Sequence, residues 1–378
     1  LAKAAARRQH LERRPPGNGA AVETAASAQD DDSTVAEAHA RYQLALDENG
    51  VGESPGLGAR GIEEAPAWRR RLIERQNDTW QAIRALGDQP RHHLSERATC
   101  VLDDAIHWLS EAPESSIHAI VTDPPYGLIE YEEQQLAKRA SGRGGVWRIP
   151  PAFDGASRSP LPRFTVLSED ALAGLHAFFV SVAYVALRAL VPGGHVLVAS
   201  NPLLSTMCFH AFQEGGFEKR GEFIRQVQTL RGGDRPKGAE AEFPDVSVMP
   251  RSCWEPWGIF RKPFDRTVAD NLRLWGAGGL RRMSPGEPLK DLIFCSPTRG
   301  AEREIAPHPS LKPQRFMRQV VRAALPLGIG IVYDPFAGSG STLAAAEALG
   351  YLSVGTERSQ EYFDMSRTAF RGLVDLEV

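Results

Sequence analysis

Four consecutive residues, Asp123-Pro124-Pro125-Tyr126, bring together a carboxylate, two residues without an N–H and an aromatic ring. The apolar run from Ile117 to Val121 before them reads as a buried strand ending at Thr122. Each proline fixes its own φ and pushes the preceding residue out of the helical region. The chain therefore leaves the strand extended and rigid, with Asp123 and Tyr126 held at its carboxyl end. No proline N–H competes there, so the Asp123 carboxylate and the Pro124 carbonyl form a small platform of acceptors. Such a platform suits an aromatic amine, a poor nucleophile because its lone pair is delocalised into the ring. Two acceptors taking its two N–H bonds favour a pyramidal nitrogen that can attack an electrophile, and Tyr126 is placed to stack on the ring. Taken alone, the same four residues also read as a strand followed by a plain Pro-Pro turn.

A second constellation lies far downstream. Residues 329–342 read Ile-Gly-Ile-Val-Tyr-Asp-Pro-Phe-Ala-Gly-Ser-Gly-Ser-Thr. Ile331 to Tyr333 is a buried strand, and Asp334 to Gly340 a tight loop. Its glycines, Gly338 and Gly340, let backbone approach a ligand closely. Ser341 or Thr342 is expected to cap a helix through Leu349, which Gly350 stops. A helix N-terminus offers free N–H groups and a positive dipole end to a carboxylate or phosphate. The next strand, Tyr351 to Gly355, leads to Glu357, placed as an acidic residue that binds ribose hydroxyls is placed. The pattern points to an adenosine-containing cofactor. It is neither a phosphate P-loop, since the GxxxxGK[ST] lysine is absent, nor a GxGxxG turn. Just upstream, His308-Pro309-Ser310-Leu311-Lys312-Pro313 leads into an amphipathic helix through Ala324. Ser310 is a candidate cap for that helix, and Lys312 a charge for a cofactor carboxylate.

Elements that would position these residues alternate strand and helix. Ala98 to Leu102 reads as a strand ending in Asp103-Asp104, followed by a helix from Ala105 to Ser110 and the strand before Asp123. That β-α-β unit predicts an α/β fold with a parallel sheet. Glu169 and Asp170 open a long helix through Leu190, which Pro192-Gly193-Gly194 ends. His195 to Ala199 is a further buried strand. A helix over Pro202–Gln213 and a strand-like stretch over Phe217–Gln228 follow.

Between these elements the rhythm fails twice. Leu128 to Leu167 carries Lys138, Arg139, Arg143, Arg148, Arg158 and Arg163 among glycines and prolines. It reads either as a solvated loop or as a mobile basic loop closing over a polyanion beside Asp123. Residues 229–305 are rich in Gly, Pro, Arg and Trp. From Lys219 to Arg282 there are thirteen Lys and Arg against eight Asp and Glu, in a chain whose net charge is −3. Cations interleaved with Trp254, Trp257, Phe260, Phe264 and Trp275 fit a surface for phosphates and bases, with Arg273 and Arg281 as candidate base readers. A small satellite core with ordinary surface charge is the plainer alternative.

The remaining composition is that of a globular protein: 378 residues, 42% hydrophobic and 24% charged. Cys100, Cys208, Cys253 and Cys295 are scattered without a CxxC pair, so neither a zinc site nor a disulfide framework is expected. No metal is implied. No apolar run reads as membrane-spanning, and Leu1 to Arg14 lacks the apolar core of a secretory signal, so a cytoplasmic location is expected. Residues 1–95 read as an N-terminal extension, partly disordered, with a helix near 66–86.

Three of the motifs together resemble those of the amino-group DNA methyltransferases: Asp123-Pro124-Pro125-Tyr126, His308 to Pro313, and Asp334 to Thr342. Their order, catalytic tetrapeptide first, resembles the beta arrangement of that family. The resemblance implies a Rossmann-like, seven-stranded and mostly parallel sheet that binds S-adenosylmethionine, with a circularly permuted motif order. It divides the chain into a catalytic half over 96–228, an inserted target-recognition region over 229–305 and a cofactor-binding half over 306–378. Asp123, Pro124, Pro125 and Tyr126 would form the catalytic corner around a base flipped out of duplex DNA. Asp334, Phe336, Gly338, Gly340, Ser341, Thr342 and Lys312 would surround the cofactor, Glu357 its ribose, and Asp103 or Asp104 its adenine. Double-stranded DNA is the implied partner, and a homodimer is compatible with the resemblance. Asp at position 123 leans toward N6 of adenine. The alternatives are N4 of cytosine, or a catalytically idle DNA-binding protein on the same fold.

Overall fold

The computed structural model describes residues 65–125, 169–227, 235–236, 238–250, 253–295, 298, 300–308 and 310–378. Tyr126, the basic loop of 128–167 and the extension over 1–64 lie outside them. The strands, in chain order, are β1 (Arg91–His93), β2 (Ala98–Leu102), β3 (Ile117–Thr122), β4 (Leu190–Ala199), β5 (Glu218–Gln226), β6 (Trp254–Arg261), β7 (Leu292–Phe294), β8 (Ile331–Asp334) and β9 (Leu352–Glu357). The helices are α1 (Ala67–Arg84), α2 (Ala105–Glu111), α3 (Glu169–Ala189), α4 (Ser205–Glu214), α5 (Val268–Trp275), α6 (Gly300–Ile305), α7 (Gln314–Ala324), α8 (Ser341–Ala348) and α9 (Gln360–Val374).

All nine strands form one sheet in the order β1-β2-β9-β8-β3-β4-β6-β5-β7. Seven strands were expected; the two further ones, β1 and β7, are three-residue edge strands. Five adjacent strands, β2, β9, β8, β3 and β4, run parallel, and β6 is antiparallel to both β4 and β5. The parallel strands are buried along almost their whole length, which explains their continuous apolar runs.

The two motifs meet because β3 and β8, far apart in sequence, are neighbours, with Ala119 opposite Val332 and Ile120 opposite Tyr333. From β8 the chain turns through α8, whose buried face joins α7 and α9, and returns as β9. From β3 it goes the other way to α3, which packs on the opposite face beside α2 and α4, and then to β4. The winding therefore reverses between β8 and β3. Such a switch point leaves a crevice at the carboxyl ends of the two strands.

Helix positions follow from their apolar stripes. On α7, Phe316, Met317, Val320, Val321 and Ala324 are buried together against the sheet. On α2, Trp108 stacks on Tyr333 of β8 with ring centroids 4.6 Å apart. Such a pair contributes about 0.5–1.5 kcal/mol beyond its burial. It ties the helix that begins at Asp104 to the strand that ends at Asp334. Gly330 has φ +136°, and a Cβ there would lie 2.6 Å from the His118 ring. Only glycine lets β8 start this close to β3.

Several expectations change. Residues 254–261 read as irregular, yet they form β6, inside the sheet; Trp257 and Phe260 are both fully buried and cannot meet a base. Arg281 donates to the Tyr351 hydroxyl, while Arg273 is exposed and pairs with Asp270 on the same helix. Helix α3 is long and apolar enough, by length and composition, to cross a membrane. Its Leu175, Phe179, Ala183 and Ala186 belong to the core against the sheet. Helix α8 is capped by neither Ser341 nor Thr342; Gly340 stands at its N-cap with φ +84°. Pro313, not Ser310, precedes α7.

The junction of β3 and β8 is closed by one carboxylate. Asp334 Oδ1 accepts from Thr122 Oγ1 at 2.7 Å and from the backbone N–H of Phe336, while Oδ2 accepts from Thr342 Oγ1. Burial outweighs these donors and lifts the carboxyl from 3.8 to about 6. The native state thus holds this proton more tightly than the unfolded chain. Its contribution to stability is fully present below pH 3.8 and is lost as pH rises through about 6. Asp334→Asn has no such dependence. The unfolding free energy of wild type minus that of the variant, from urea titrations, is expected to shrink between about pH 4 and pH 6.5. A difference that grows over that range contradicts the assignment.

Candidate active site

At the crevice a cavity of about 290 Å³ opens. Asp123, Pro124 and Pro125 line it from the end of β3, Asp103 and Asp104 from the end of β2, and Glu357 from the end of β9. The loop after β8 contributes Asp334, Phe336 and Gly338, and the start of α8 contributes Ser341 and Thr342. Lys312 completes the wall ahead of α7. The two motifs thus share one cavity.

Gly340 is the exception among the described site residues, since it is absent from the lining. A Cβ on it would face Ser366 of α9 at 3.5 Å. Its positive φ turns the loop into α8. Asp334 reaches the cavity, but three donors already engage its carboxylate, so it braces the site instead of offering itself to a ligand.

Glu357 is partly buried and held by backbone. Its Oε2 accepts from Gly338 N–H at 2.9 Å and its Oε1 from Ser359 N–H at 2.7 Å. Burial raises its pKa, and the Ser359 and Gly338 N–H groups pull it back. Each oxygen keeps a further lone pair, so the pair of oxygens suits a vicinal diol. Asp104 caps α2, accepting from Ile106 N–H and His107 N–H. Asp103 accepts from Asp104 N–H and lies 2.9 Å from His107 Nδ1. That hydrogen bond raises the His107 pKa. Both aspartates remain at the cavity wall.

Lys312 does not stand open to a ligand carboxylate, as expected from sequence. Its Nζ lies 2.7 Å from Asp123 Oδ2 and 3.2 Å from Glu255 Oε2. Burial alone would lower its pKa, but Asp123 and Glu255 outweigh that and raise it. The ammonium is therefore charged and committed to the carboxylate of the Pro-Pro corner.

Several lining residues were given no role from sequence, among them His308, Phe178, Arg358 and Tyr362. His308 sits over the glycine loop, where a Cβ on Gly338 would come within 3.1 Å of its Nε2. Its Nδ1 accepts from Ser310 N–H, and its ring meets Tyr362 edge-on at 4.3 Å. Burial, then Lys312, push its pKa down to about 4, so the ring is neutral and Nε2 carries the proton. Phe178 of α3 lies 5.9 Å from Phe336, giving the cavity an apolar side. Arg358 adds a cation beside Glu357. The motif position of His308 was a usable signal; Phe178, Arg358 and Tyr362 lie outside every motif.

Comparison with known proteins finds the following similarities. Residues 254–368 match the N6_N4_Mtase family of DNA methylases. The type II methyltransferase M.HindIII of Haemophilus influenzae is 24% identical over 287 residues, 70% of this chain and 92% of its own. M2.DpnII of Streptococcus pneumoniae is 30% identical over 88 residues, 23% of this chain; the match spans only 32% of that relative's length. Among solved structures, the cytosine-N4-specific PvuII DNA methyltransferase shares 16% identity at a TM-score of 0.48, covering 77% of this chain and 90% of its own. An M1.HpyAVI complex with SAM shares 16% identity at 0.42, covering 72% and 99%. The Pro-Pro corner and the glycine loop open on one cavity, and the segment that supplies the loop is the one similar to the N6_N4_Mtase DNA methylases.

Proposed function

We propose that this protein transfers a methyl group from S-adenosylmethionine to the exocyclic N6 of adenine in double-stranded DNA. The observation that carries the reading is the shared cavity: an acceptor corner for an amine and a cradle for an adenosine cofactor open on the same space. The donor set fits that cofactor. Glu357 offers two oxygens to a ribose, Asp103 and Asp104 offer acceptors to an adenine, and the α8 N-terminus offers N–H groups to charge. When bound, S-adenosylmethionine supplies an electrophilic methyl group.

The protein's own part is positioning and electrostatics. Asp123 accepts one N–H of the target amine, and the Pro124 carbonyl accepts the other. The nitrogen then carries its lone pair toward the cofactor side of the cavity. Tyr126, next along the chain, stacks on the extruded base. Base flipping fits a carboxylate whose side chain is only 14% exposed, since an amine inside a duplex could not reach it. Phe178 and Phe336 exclude water from the methyl's path. The carboxylate at position 123 is the feature that favours adenine.

Incubation with labelled S-adenosylmethionine and unmethylated genomic DNA tests the reading. The expected product is labelled N6-methyladenine. Label on N4-methylcytosine overturns the base assignment alone, and no label in any DNA overturns the activity. In the same assay Asp123→Ala is expected to abolish transfer while cofactor binding by calorimetry persists; near-normal turnover in this variant removes Asp123 from the mechanism. Glu357→Gln places an amide donor against the Gly338 or Ser359 N–H. Its dissociation constant for S-adenosylmethionine is expected to rise about tenfold or more. An unchanged constant shows that Glu357 does not hold the cofactor.

A further inference from the structure

Lys312 is held between two carboxylates, and only one of them belongs to a recognised motif. The other, Glu255, comes from β6, the antiparallel strand beyond β4. Its carboxylate is tightly fixed. Trp257 Nε1 donates to Oε1 at 2.8 Å, and Arg225 of β5 approaches Oε2 at 3.5 Å, alongside Lys312. Asp123, Lys312, Glu255 and Arg225 thus form a row of alternating charge. Their side chains are 14%, 11%, 17% and 6% exposed, so water screens them little.

The row has a chemical consequence. A carboxylate that shares a full ammonium is a weaker acceptor for a third group, because the ammonium has already drawn on its charge. Lys312 would blunt Asp123 in this way if it had no other partner. Glu255 takes part of the same ammonium, and the site remains electrically neutral while Asp123 keeps more of its accepting power. We propose that Glu255 is a positioning residue of the transfer site, dividing the Lys312 ammonium with Asp123 so that Asp123 can grip the target amine. Glu255 touches neither the cofactor nor the base; it acts through Lys312. The inference rests on the methyltransferase reading given above.

The groups that face Lys312 are Asp123 at the end of β3, Glu255 on β6, Arg225 on β5 and His308 on its own lead-in segment. His308 is neutral above about pH 4 and does not titrate with them in the assay range. Behind Arg225, the Cys295 thiol is buried with a raised pKa. With Glu255 ionised, its burial is outweighed by Lys312 and Arg225, which hold its pKa below the usual value. The pair therefore persists across neutral pH.

Glu255→Gln keeps the shape and removes the charge. Lys312 then leans wholly on Asp123. At neutral pH, kcat for methyl transfer is expected to fall about tenfold or more, with S-adenosylmethionine affinity unchanged. Loss of one carboxylate at hydrogen-bond distance also lowers the Lys312 pKa, and a deprotonated Lys312 no longer blunts Asp123, so the kcat deficit of Glu255→Gln is expected to shrink as pH rises. Glu255→Asp restores the charge and is expected to show a deficit that does not change with pH. A Glu255→Gln enzyme with wild-type kcat at neutral pH overturns the proposal. So does a Glu255→Gln deficit that stays constant across the pH range, the signature of a purely structural role. Wild-type enzyme that labels no DNA base is a different failure: it overturns the methyltransferase reading and this inference with it.

Discussion

One buried carboxylate joins the two halves of this site. Asp334 accepts a hydroxyl hydrogen from Thr122, which immediately precedes the Asp123 corner, and another from Thr342, in the first turn of the helix behind the glycine loop. Sheet pairing sets the register of the two strands, with Ile120 opposite Tyr333. The hydroxyl pair adds a side-chain clasp just beyond the last paired residues. Each hydrogen bond to a charged acceptor is worth about 1.5–3 kcal/mol, and leaving a buried partner unmade costs a similar amount. Separation of the corner from the loop is thus opposed twice, once by the ladder and once by its terminal clasp.

Much of this arrangement was legible in the residues. The β3 and β8 runs announce buried strands because a parallel strand covered on both faces has no polar side to show. Asp123-Pro124-Pro125 and Gly338 carry their backbone constraints in their chemistry, so their places at strand ends follow directly. The carboxylate of Asp334 was harder to read. Its position in the loop suggested a ligand contact, while its partner Thr122 comes from the other half of the chain. Gly340 was ambiguous for a related reason: a glycine beside a cofactor loop and a glycine with positive φ at a helix start look alike in one dimension.

The stretch after residue 229 was the least legible. Its arginines and tryptophans read as a DNA-facing surface, yet Trp257 and Phe260 are core residues of β6. An antiparallel strand between two others needs large apolar residues on its buried face, and tryptophan satisfies that need as well as it would stack on a base. The described segment from 238 to 250 contains Glu240, Glu242 and Asp245 and no lysine or arginine. Arg225 of β5 and Glu255 of β6 form the inner end of the charge row that reaches Asp123. Lys312 was assigned to the cofactor from its motif alone; only the fold reveals a second carboxylate close enough to claim it.

The central claim is that the amine-gripping corner and the cofactor cradle face one another, with Lys312 belonging to the corner. A crystal structure of this protein with S-adenosylmethionine bound tests it most directly. The sulfonium methyl is expected to point across the cavity toward Asp123, the ribose to lie on Glu357, and Lys312 to remain between Asp123 and Glu255. A complex whose methyl points away from Asp123, or in which Lys312 has left both carboxylates for the cofactor's own, contradicts the account.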